Sequence, residues 1–191
     1  ITTCGDDKIH TFTGPGTFAV CSISSNATDN VVSYVVIAGG GGTAGDRGGG
    51  GGAGGYREVK SPATPYTASP LDGYPNAPNR ITLTATSYPI TVGGGGATDN
   101  TPPYSDGTQG STSTFSTVSS AGGGAGNRNT SPGGNGGSGG GAGSVAPHTP
   151  QPGGSGNTPP TTPPQGQDGG DSQNTSPGYA TGGGGGAGGA G

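Results

Sequence analysis

The sequence lacks methionine and tryptophan, and only 24% of its residues are hydrophobic and 5% aromatic. Charge is also scarce, because 6 basic and 10 acidic residues give a net charge of −4 over 191 residues. Too few large apolar side chains are present for a conventional hydrophobic core in a chain of this length. With so few basic residues there is no electrostatic basis for binding nucleic acid or an anionic membrane surface, so we expect no nucleic-acid partner.

Long hydrophobic runs are absent as well. The longest apolar run covers residues 34–38, whereas about 18–20 residues are needed to span a bilayer. We therefore expect no membrane insertion. The chain begins at Ile1 without a methionine, so we expect a processed product or a piece of a longer polypeptide.

The two cysteines, Cys4 and Cys21, do not have the spacing of a metal site. One interpretation is a pair of small buried side chains. The other is a disulfide, which would contribute on the order of 3 kcal/mol and would suit an extracellular protein. The sequence leaves both alternatives open.

Glycine and proline dominate what is present, with 49 and 18 residues. Glycine is not at every third position, which excludes a collagen helix. The glycine tracts alternate with segments rich in Pro, Ser, Thr and Asn, which are typical of surface loops. The principal tracts are residues 39–42, 48–55, 93–96, 122–124, 133–141 and 182–191.

Short β-type runs occur mainly in the first 38 residues. Residues 8–13 and 17–23 flank Gly14-Pro15-Gly16, which is a hairpin pattern. Residues 31–38 are apolar on both alternating faces, so we expect cover on both sides of that strand. Further strands are predicted near residues 57–60, 80–92 and 113–118. No segment has the composition or periodicity of an α-helix.

A glycine tract can be a flexible coil or an extended helix with three residues per turn. The extended helix makes no internal hydrogen bonds, so only neighbouring tracts can pair its amides. We predict an all-β fold without α-helix, in which a small antiparallel β-sheet or sandwich region is combined with packed polyglycine II rods and long Pro/Ser/Thr loops. Residues 1–38 open the domain and residues 39–191 form the glycine-rich region, and we expect one cooperative unit.

Catalytic apparatus is not recognisable in the sequence. The GxGxxG matches do not connect a strand to a helix, and neither lysine follows a glycine as a phosphate-binding loop requires. The only histidines are His10, in a strand pattern, and His148, in a loop, with no acidic partner suggested. We therefore predict no catalytic residue, no metal site, no cofactor and no enzymatic activity.

Four tyrosines lie in Pro- and Ser-rich loops, together with several asparagines. Loops of Tyr, Ser, Gly and Asn on a rigid frame resemble antibody binding loops in composition. Two interpretations are open: the rings pack over the loop bases, or they recognise a carbohydrate or protein surface. The candidate receptor-contacting residues are Tyr66, Tyr74, Asn76, Tyr104 and Tyr179.

The ordered segments IHTFTGPGTFAV (9–20), YVVIAGGGG (34–42), GGAGGYREV (51–59), ITLTATSYPITVGGGG (81–96) and GSTSTFSTVSSAGGGAG (110–126) resemble a known domain. It is the glycine-rich domain of bacteriophage and viral tail or fibre proteins and of some bacterial surface proteins. More distantly, the tracts are similar to the polyglycine sandwich of the adhesin at the tip of T-even-like phage long tail fibres. There, loops that join the rods touch the host. This sequence differs in its strand-rich start and in its long Pro/Thr loop at residues 149–178.

The resemblance implies a non-enzymatic structural or adhesive module of an extracellular fibre, most simply a virion tail fibre that attaches to a host. A chain with so little core gains from self-association, so we expect a homo-oligomer, with a trimer favoured. An alternative is a secreted or cell-surface filament that is assembled by strand donation from residues 1–4 or 8–13. A third alternative is an ice-binding protein, since a flat polyglycine bundle suits an ordered water surface.

Overall fold

The computed structural model describes residues 1–5, 7–129, 131–144, 149–175 and 178–191. In this part of the chain no α-helix is present, which confirms the predicted all-β class. Two short 3₁₀ helices span Ala27–Asn30 and Ala77–Asn79. The strands are β1 (Thr2–Cys4), β2 (Asp7–Ile9), β3 (Gly16–Ala19), β4 (Tyr34–Ile37), β5 (Tyr56–Val59), β6 (Ser87–Thr91), β7 (Ser113–Phe115), β8 (Val118–Ser120), β9 (Gln173–Thr175) and β10 (Gly178–Ala180).

The largest sheet has the antiparallel order β3-β6-β7-β8, and β1–β2, β4–β5 and β9–β10 form two-stranded sheets. The predicted hairpin between residues 8–13 and 17–23 is wrong, because β3 pairs with β6 and β2 pairs with β1. Aromatic packing explains the long-range choice. Phe18 lies opposite Tyr88 in the register, and its ring contacts those of Tyr88 and Phe115 at centroid distances of 6.3 and 6.0 Å.

The hydrophobic core is a single small cluster between this sheet and the β4–β5 hairpin. Its buried members are Tyr34, Val36, Val59, Ile81, Phe115 and Val118. Ring contacts centred on Phe115 hold the two layers together, since Tyr34 and Tyr88 both meet it edge-on near 6 Å.

Cover on both faces of residues 31–38 was expected, but β4 is covered on one face only. Val35 and Ile37 are 49% and 58% exposed. Val35 and Ile37 lie on the outer face of the β4–β5 hairpin. The loop at residues 60–72 covers this face of β5 but leaves the same face of β4 exposed. The loop is held on the β5 side by the buried Glu58.

The strand predicted near residues 80–92 begins later than predicted. Ile81 is buried, but before Ser87 only the bridge between Val31 and Thr82 is formed. A bend at residues 84–86 ends the extended run, because the Thr84 amide donates to the Tyr88 hydroxyl (2.8 Å) and the Thr86 amide to the Thr84 carbonyl. The regular strand therefore begins at Ser87.

Five of the strands continue directly into glycine segments. A glycine segment follows each of β4, β6 and β8, and a glycine segment precedes each of β5 and β7. We call these segments rods because each is extended and pairs with its neighbours along its length. In the described part of the chain they are rod 1 (39–42), rod 2 (49–55), rod 3 (93–97), rod 4 (107–111), rod 5 (121–127), rod 6 (133–136), rod 7 (137–142), rod 8 (152–156), rod 9 (165–170) and rod 10 (182–186).

Hydrogen bonds between rods recur every three residues. The amides of Gly49, Gly52 and Gly55 donate to the carbonyls of residues 127, 124 and 121, in that order. Rod 4 meets rod 5 in the same way, through residues 107 and 110 donating to residues 126 and 123. A three-residue step is the period of the polyglycine II helix. The rods are therefore polyglycine II helices, as the sequence predicted.

The pairing arranges the rods in three layers. Rods 3, 1, 2 and 10 are neighbours in the first layer, rods 4, 5, 7 and 9 in the second, and rods 6 and 8 in the third. Odd-numbered rods run away from the strands and even-numbered rods run back, because consecutive rods are antiparallel. This arrangement, which we call the rod lattice, follows from backbone pairing alone.

Rod 7 lies at the centre of the lattice. All six N–H and all six C=O groups of residues 137–142 are hydrogen-bonded, at 2.7–3.3 Å. Their partners belong to or directly follow rods 5 and 9 in the same layer, rods 2 and 10 on one side, and rods 6 and 8 on the other. Every residue of rod 7 is buried. Backbone pairing thus supplies the order that apolar side chains supply in other proteins.

Glycine is required in these rods for its missing Cβ, not for its conformational range. Among the described glycines, only Gly5 has a positive φ, of 59°. A Cβ added at Gly139 would overlap the Gly154 carbonyl oxygen, and one added at Gly41 would overlap that of Gly124. Where a rod position faces outward, as at the exposed Ala53, a side chain is accommodated.

Both cysteine interpretations need correction in this structure. Cys4 and Cys21 are free thiols and both are exposed, so they are neither a buried pair nor a disulfide. The pairing partners explain this outcome: β1 is paired only with β2, whereas Cys21 follows β3, which is held in the large sheet by β6.

The lattice predicts a sharp contrast between two alanine substitutions. We expect Gly139→Ala to lower the free energy of unfolding by about 1–3 kcal/mol or more, because its Cβ would displace a neighbouring backbone. We expect Gly94→Ala, where no atom lies within 4 Å of the added Cβ, to be neutral or to stabilise by about 0.4–1 kcal/mol. Urea unfolding of both variants measures the difference, and equal effects would contradict close backbone packing.

Candidate binding site

The alternating rods divide the molecule into two ends. At the strand end lie the hydrophobic core, the loop at residues 60–80, the β7–β8 turn and the loop at residues 157–164. At the loop end lie residues 43–48 and 98–106, together with the described parts of 128–132, 143–151 and 171–181. A rod of six residues is about 19 Å long at the rise of about 3.1 Å per residue, so the two ends are well separated.

Arg128 links three of the loops that join rods at the loop end. Its guanidinium pairs with Asp46 at 3.2 Å and lies 5.6 Å from the centre of the Tyr104 ring. Its backbone amide donates to the Asp106 carboxylate at 2.8 Å. These contacts hold residues 43–48, residues 98–106 and the described part of 128–132 in one arrangement.

Asp99 orders the longest of these connections from within. Its Oδ1 accepts the Thr101 amide at 3.0 Å, and its Oδ2 accepts the Ser105 amide and hydroxyl at 3.1 and 2.8 Å. The hydrogen bonds, that of the Thr101 amide first, lower the pKa of this exposed carboxyl. The loop therefore presents a defined surface although it has no regular structure.

At the strand end, Glu58 fastens the loop at residues 60–72. The carboxylate is 4% exposed and accepts the Tyr56 hydroxyl at 3.0 Å together with the amide and hydroxyl of Ser69. Tyr66 lies close to it: burial first, and then the charge of Glu58, raise the pKa of Tyr66 to about 12. Lys60 lies 5.9 Å from the centre of the Tyr66 ring. These hydrogen bonds fix the loop against β5.

Next to the loop that Glu58 fastens is a groove of about 320 Å³, which is polar and open to solvent. Residues from four separate parts of the chain form it: β5, the 3₁₀ helix at Ala77–Asn79 with the residue before it, the β7–β8 turn, and the Pro-rich loop at residues 157–164. Its lining residues are Arg57, Asn76, Pro78, Asn79, Thr117, Val118, Ser119, Pro160, Thr161 and Thr162.

Asn79 holds the groove together. Its Nδ2 donates to the carbonyls of Gly73 (3.1 Å) and Thr162 (2.7 Å), and its Oδ1 accepts from Arg57 Nη2 at 2.6 Å. Its own carbonyl accepts the Tyr34 hydroxyl at 2.7 Å. Burial of that hydroxyl raises the pKa of Tyr34 to about 12, against a smaller lowering by the Arg57 charge. One buried amide thus links the core, the guanidinium and the Pro-rich loop.

The structure separates the five candidate receptor residues. Tyr66, Tyr74 and Asn76 lie at the strand end. The backbones of Tyr104 and Tyr179 lie at the loop end, and the side chain of Tyr179 is outside the described residues, as is all of His148. Tyr74 packs against the hydrophobic core and beneath Arg80, whose Cζ is 4.4 Å from the ring centre. Tyr104 is half-buried against Arg128.

Asn76 is the candidate residue that lines the groove, where its Nδ2 donates to the Thr162 carbonyl at 3.2 Å. Sequence reasoning missed its companions, above all Arg57, which lies in the strand predicted near residues 57–60. That segment also contains Glu58 and Lys60, so its charge alone does not single out Arg57. Its proximity to Thr117 and Thr161 depends on long-range pairing that no local pattern reveals.

Groups of three or more metal-binding side chains are absent from the described residues. Nor does any helix described in the structure have the length and apolar character to cross a membrane. His10, for which no catalytic role was predicted, packs edge-on against Phe18 at a centroid distance of 4.9 Å.

Comparison with known families gives one match. The family model of the glycine-rich domain matches residues 12–191, which include both the rod lattice and the groove. No curated protein and no solved structure matches the chain.

The raised pKa of Tyr34 predicts how stability depends on pH. Since the folded-state pKa (about 12) lies above the ordinary value of 10.0, the unfolded state loses its proton first as pH rises. The stabilisation is complete below pH 10 and is lost between pH 10 and about 12. We expect the free energy of unfolding to fall over this range, and to fall less steeply in Tyr34→Phe. Urea unfolding at pH 8 and 11 tests this, and equal slopes would contradict it.

Proposed function

Because the chain belongs to the glycine-rich domain family, we propose that it is a non-enzymatic structural and adhesive module of an extracellular fibre. A phage or virus tail fibre that attaches to a host is the source that the sequence resemblance favours. The module would then be located in the virion or at a cell surface, and its partner would be a carbohydrate or protein of the host surface.

The observation that carries this proposal is the collection of loops at one end of a rigid lattice. Antiparallel rods bring five separate connections to the loop end, where Arg128 and Asp99 fix three of them. Residues on a rigid frame bind at a lower entropic cost than residues in mobile segments. A backbone lattice with ordered loops at its tip is suited to recognition.

Self-association is part of the proposal. Val35 and Ile37 form an uncovered apolar strip on β4, and a small protein that exposes such a strip gains stability when a second copy covers it. This supports the homo-oligomer that the sequence predicts.

The adhesive role is tested by flow cytometry of the fluorescently labelled full chain on a panel of intact bacteria. Asn100 is exposed in the loop-end segment at residues 98–106. We expect Asn100→Arg to reduce binding to the recognised strain at least tenfold, because a long charged side chain obstructs the contact surface.

The matched control is Thr67→Arg, which introduces the same charge at an exposed loop position of the strand end. It should bind within twofold of the wild type. If no strain is recognised, or if the two variants lose binding equally, the loop end is not an adhesive surface.

A filament assembled by strand donation is a second candidate, favoured by one observation. The β1–β2 hairpin pairs with no other strand in the described part of the chain, and Ile1 and Ile9 are 86% and 49% exposed. A lone hairpin is at best marginally stable in water, so a neighbouring molecule could use it.

Deletion of residues 1–9 distinguishes the two functions. For the fibre module we expect an unchanged thermal midpoint and unchanged binding to cells, because the hairpin makes no pairing with the body of the fold. For a filament subunit, electron microscopy would show polymers of the full chain and none of the deletion variant.

A further inference from the structure

Arg57 is a cation that has no anionic partner among the described residues. It lies opposite Val36 in the β4–β5 register, and opposite residues of an antiparallel pair lie on the same face. The side chain is therefore half-buried on the core side of the hairpin, and its guanidinium reaches the groove. Its Nη2 donates to Asn79, but no carboxylate lies within ion-pair distance in the described part of the chain.

The contrast with Arg128 shows that the fold can neutralise an arginine. Arg128 has Asp46 as an ion-pair partner, whereas the positive charge of Arg57 meets only a neutral amide oxygen. Taking a charge partly out of water is costly unless a counter-charge is supplied. The remaining N–H groups of Arg57 have no acceptor among the described residues, and they are not enclosed. They are available to a ligand.

A guanidinium selects for a particular shape of anion. Its planar fork matches a carboxylate through two parallel hydrogen bonds. Among the described residues, Arg57 is the only cationic side chain that lines the groove, so its single positive charge fits the single negative charge of a carboxylate better than a phosphate dianion. The described lining also contains no aromatic ring, which the stacking of nucleotide bases requires.

The remaining walls suit a polyhydroxylated ligand. Asn76, Thr117 and Ser119 supply amide and hydroxyl groups that can donate to and accept from sugar hydroxyls. The Thr161 hydroxyl, whose proton is donated within its own loop, can accept from one. Two proline rings, Pro78 and Pro160, give apolar surface for the C–H face of a sugar ring. The groove volume of about 320 Å³ lies at the lower end of the roughly 300–1,000 Å³ typical of small-ligand sites.

The Pro-rich wall is held in place before any ligand binds. Asn157 Oδ1 accepts the amide and hydroxyl of Thr161 at 2.9 and 3.0 Å. Gln165 is 1% exposed, and its Nε2 donates to the Pro159 carbonyl at 2.7 Å while its Oε1 accepts the amide of Ala121 in rod 5. The wall is thus anchored to the rod lattice, and such preorganisation lowers the cost of binding.

We propose that the groove at the strand end binds an acidic saccharide, with the sugar carboxylate paired to Arg57 and the sugar hydroxyls held by Asn76, Thr117 and Thr161. A uronic acid or a sialic acid has this chemistry. The site lies at the opposite end from the loops to which we assign host contact, so it is a second binding site and does not depend on their adhesive role.

The test is NMR titration of the isotope-labelled full chain with glucuronic acid and N-acetylneuraminic acid. The Arg57 Nε and the Asn76 and Asn79 side-chain amide signals should shift and saturate in the millimolar range. Methyl glucuronate, in which the carboxylate is an ester, and glucose should bind at least tenfold more weakly. This comparison uses the wild-type chain and requires no variant.

Two variants locate the charge. Arg57→Gln should weaken glucuronate binding at least tenfold, whereas Arg80→Gln, which removes an exposed arginine outside the groove, should stay within twofold of the wild type. Equal binding of acid and ester, tighter binding of glucose 6-phosphate than of glucuronate, or shifts confined to the loop end would overturn the proposal. Binding of acidic sugars without attachment to cells would count against the adhesive role alone.

Discussion

The fold depends on how closely two peptide backbones can approach when neither carries a side chain. At the spacing of the rods, one added methyl group would occupy the position of a neighbouring carbonyl oxygen, as at Gly139 and Gly154. In return, every amide and carbonyl of rod 7 has a partner. The steric constraint and the hydrogen bonding are therefore inseparable, because removing Cβ is what allows the amides to meet.

The small hydrophobic core has a specific part in this arrangement. A polyglycine rod has no side chains to set its register against a neighbour. In this chain β4, β5, β6, β7 and β8 are continuous with rods 1–5, so the packing of Phe115, Tyr34 and Tyr88 fixes where those rods begin. Rods 6–10 then add to a surface whose register is already determined. Side-chain burial positions the lattice, and backbone pairing extends it.

Composition predicted the nature of the fold but not its pairings. The excess of glycine and the lack of apolar residues predicted an all-β fold and indicated rods, since no other ordered structure suits such a chain. The partner of β3 could not be deduced, because Gly14-Pro15-Gly16 favours a local hairpin while the contacts of Phe18 with Tyr88 and Phe115 are distant in sequence. The groove was missed for the same reason: Arg57, Asn76 and Thr161 meet only after rod 8 returns the chain to the strand end.

The alternation of rod direction separates the residues that maintain the architecture from those that face the surroundings. A change in the length or composition of the turns beyond Thr43, Ala97 or Asn127 leaves each adjoining rod with the same neighbours, because the pairing partners of the rods lie in other rods. Such a scaffold can acquire new sequences at its loop end, by insertion or exchange of short segments, while the backbone pairing in its interior stays unchanged.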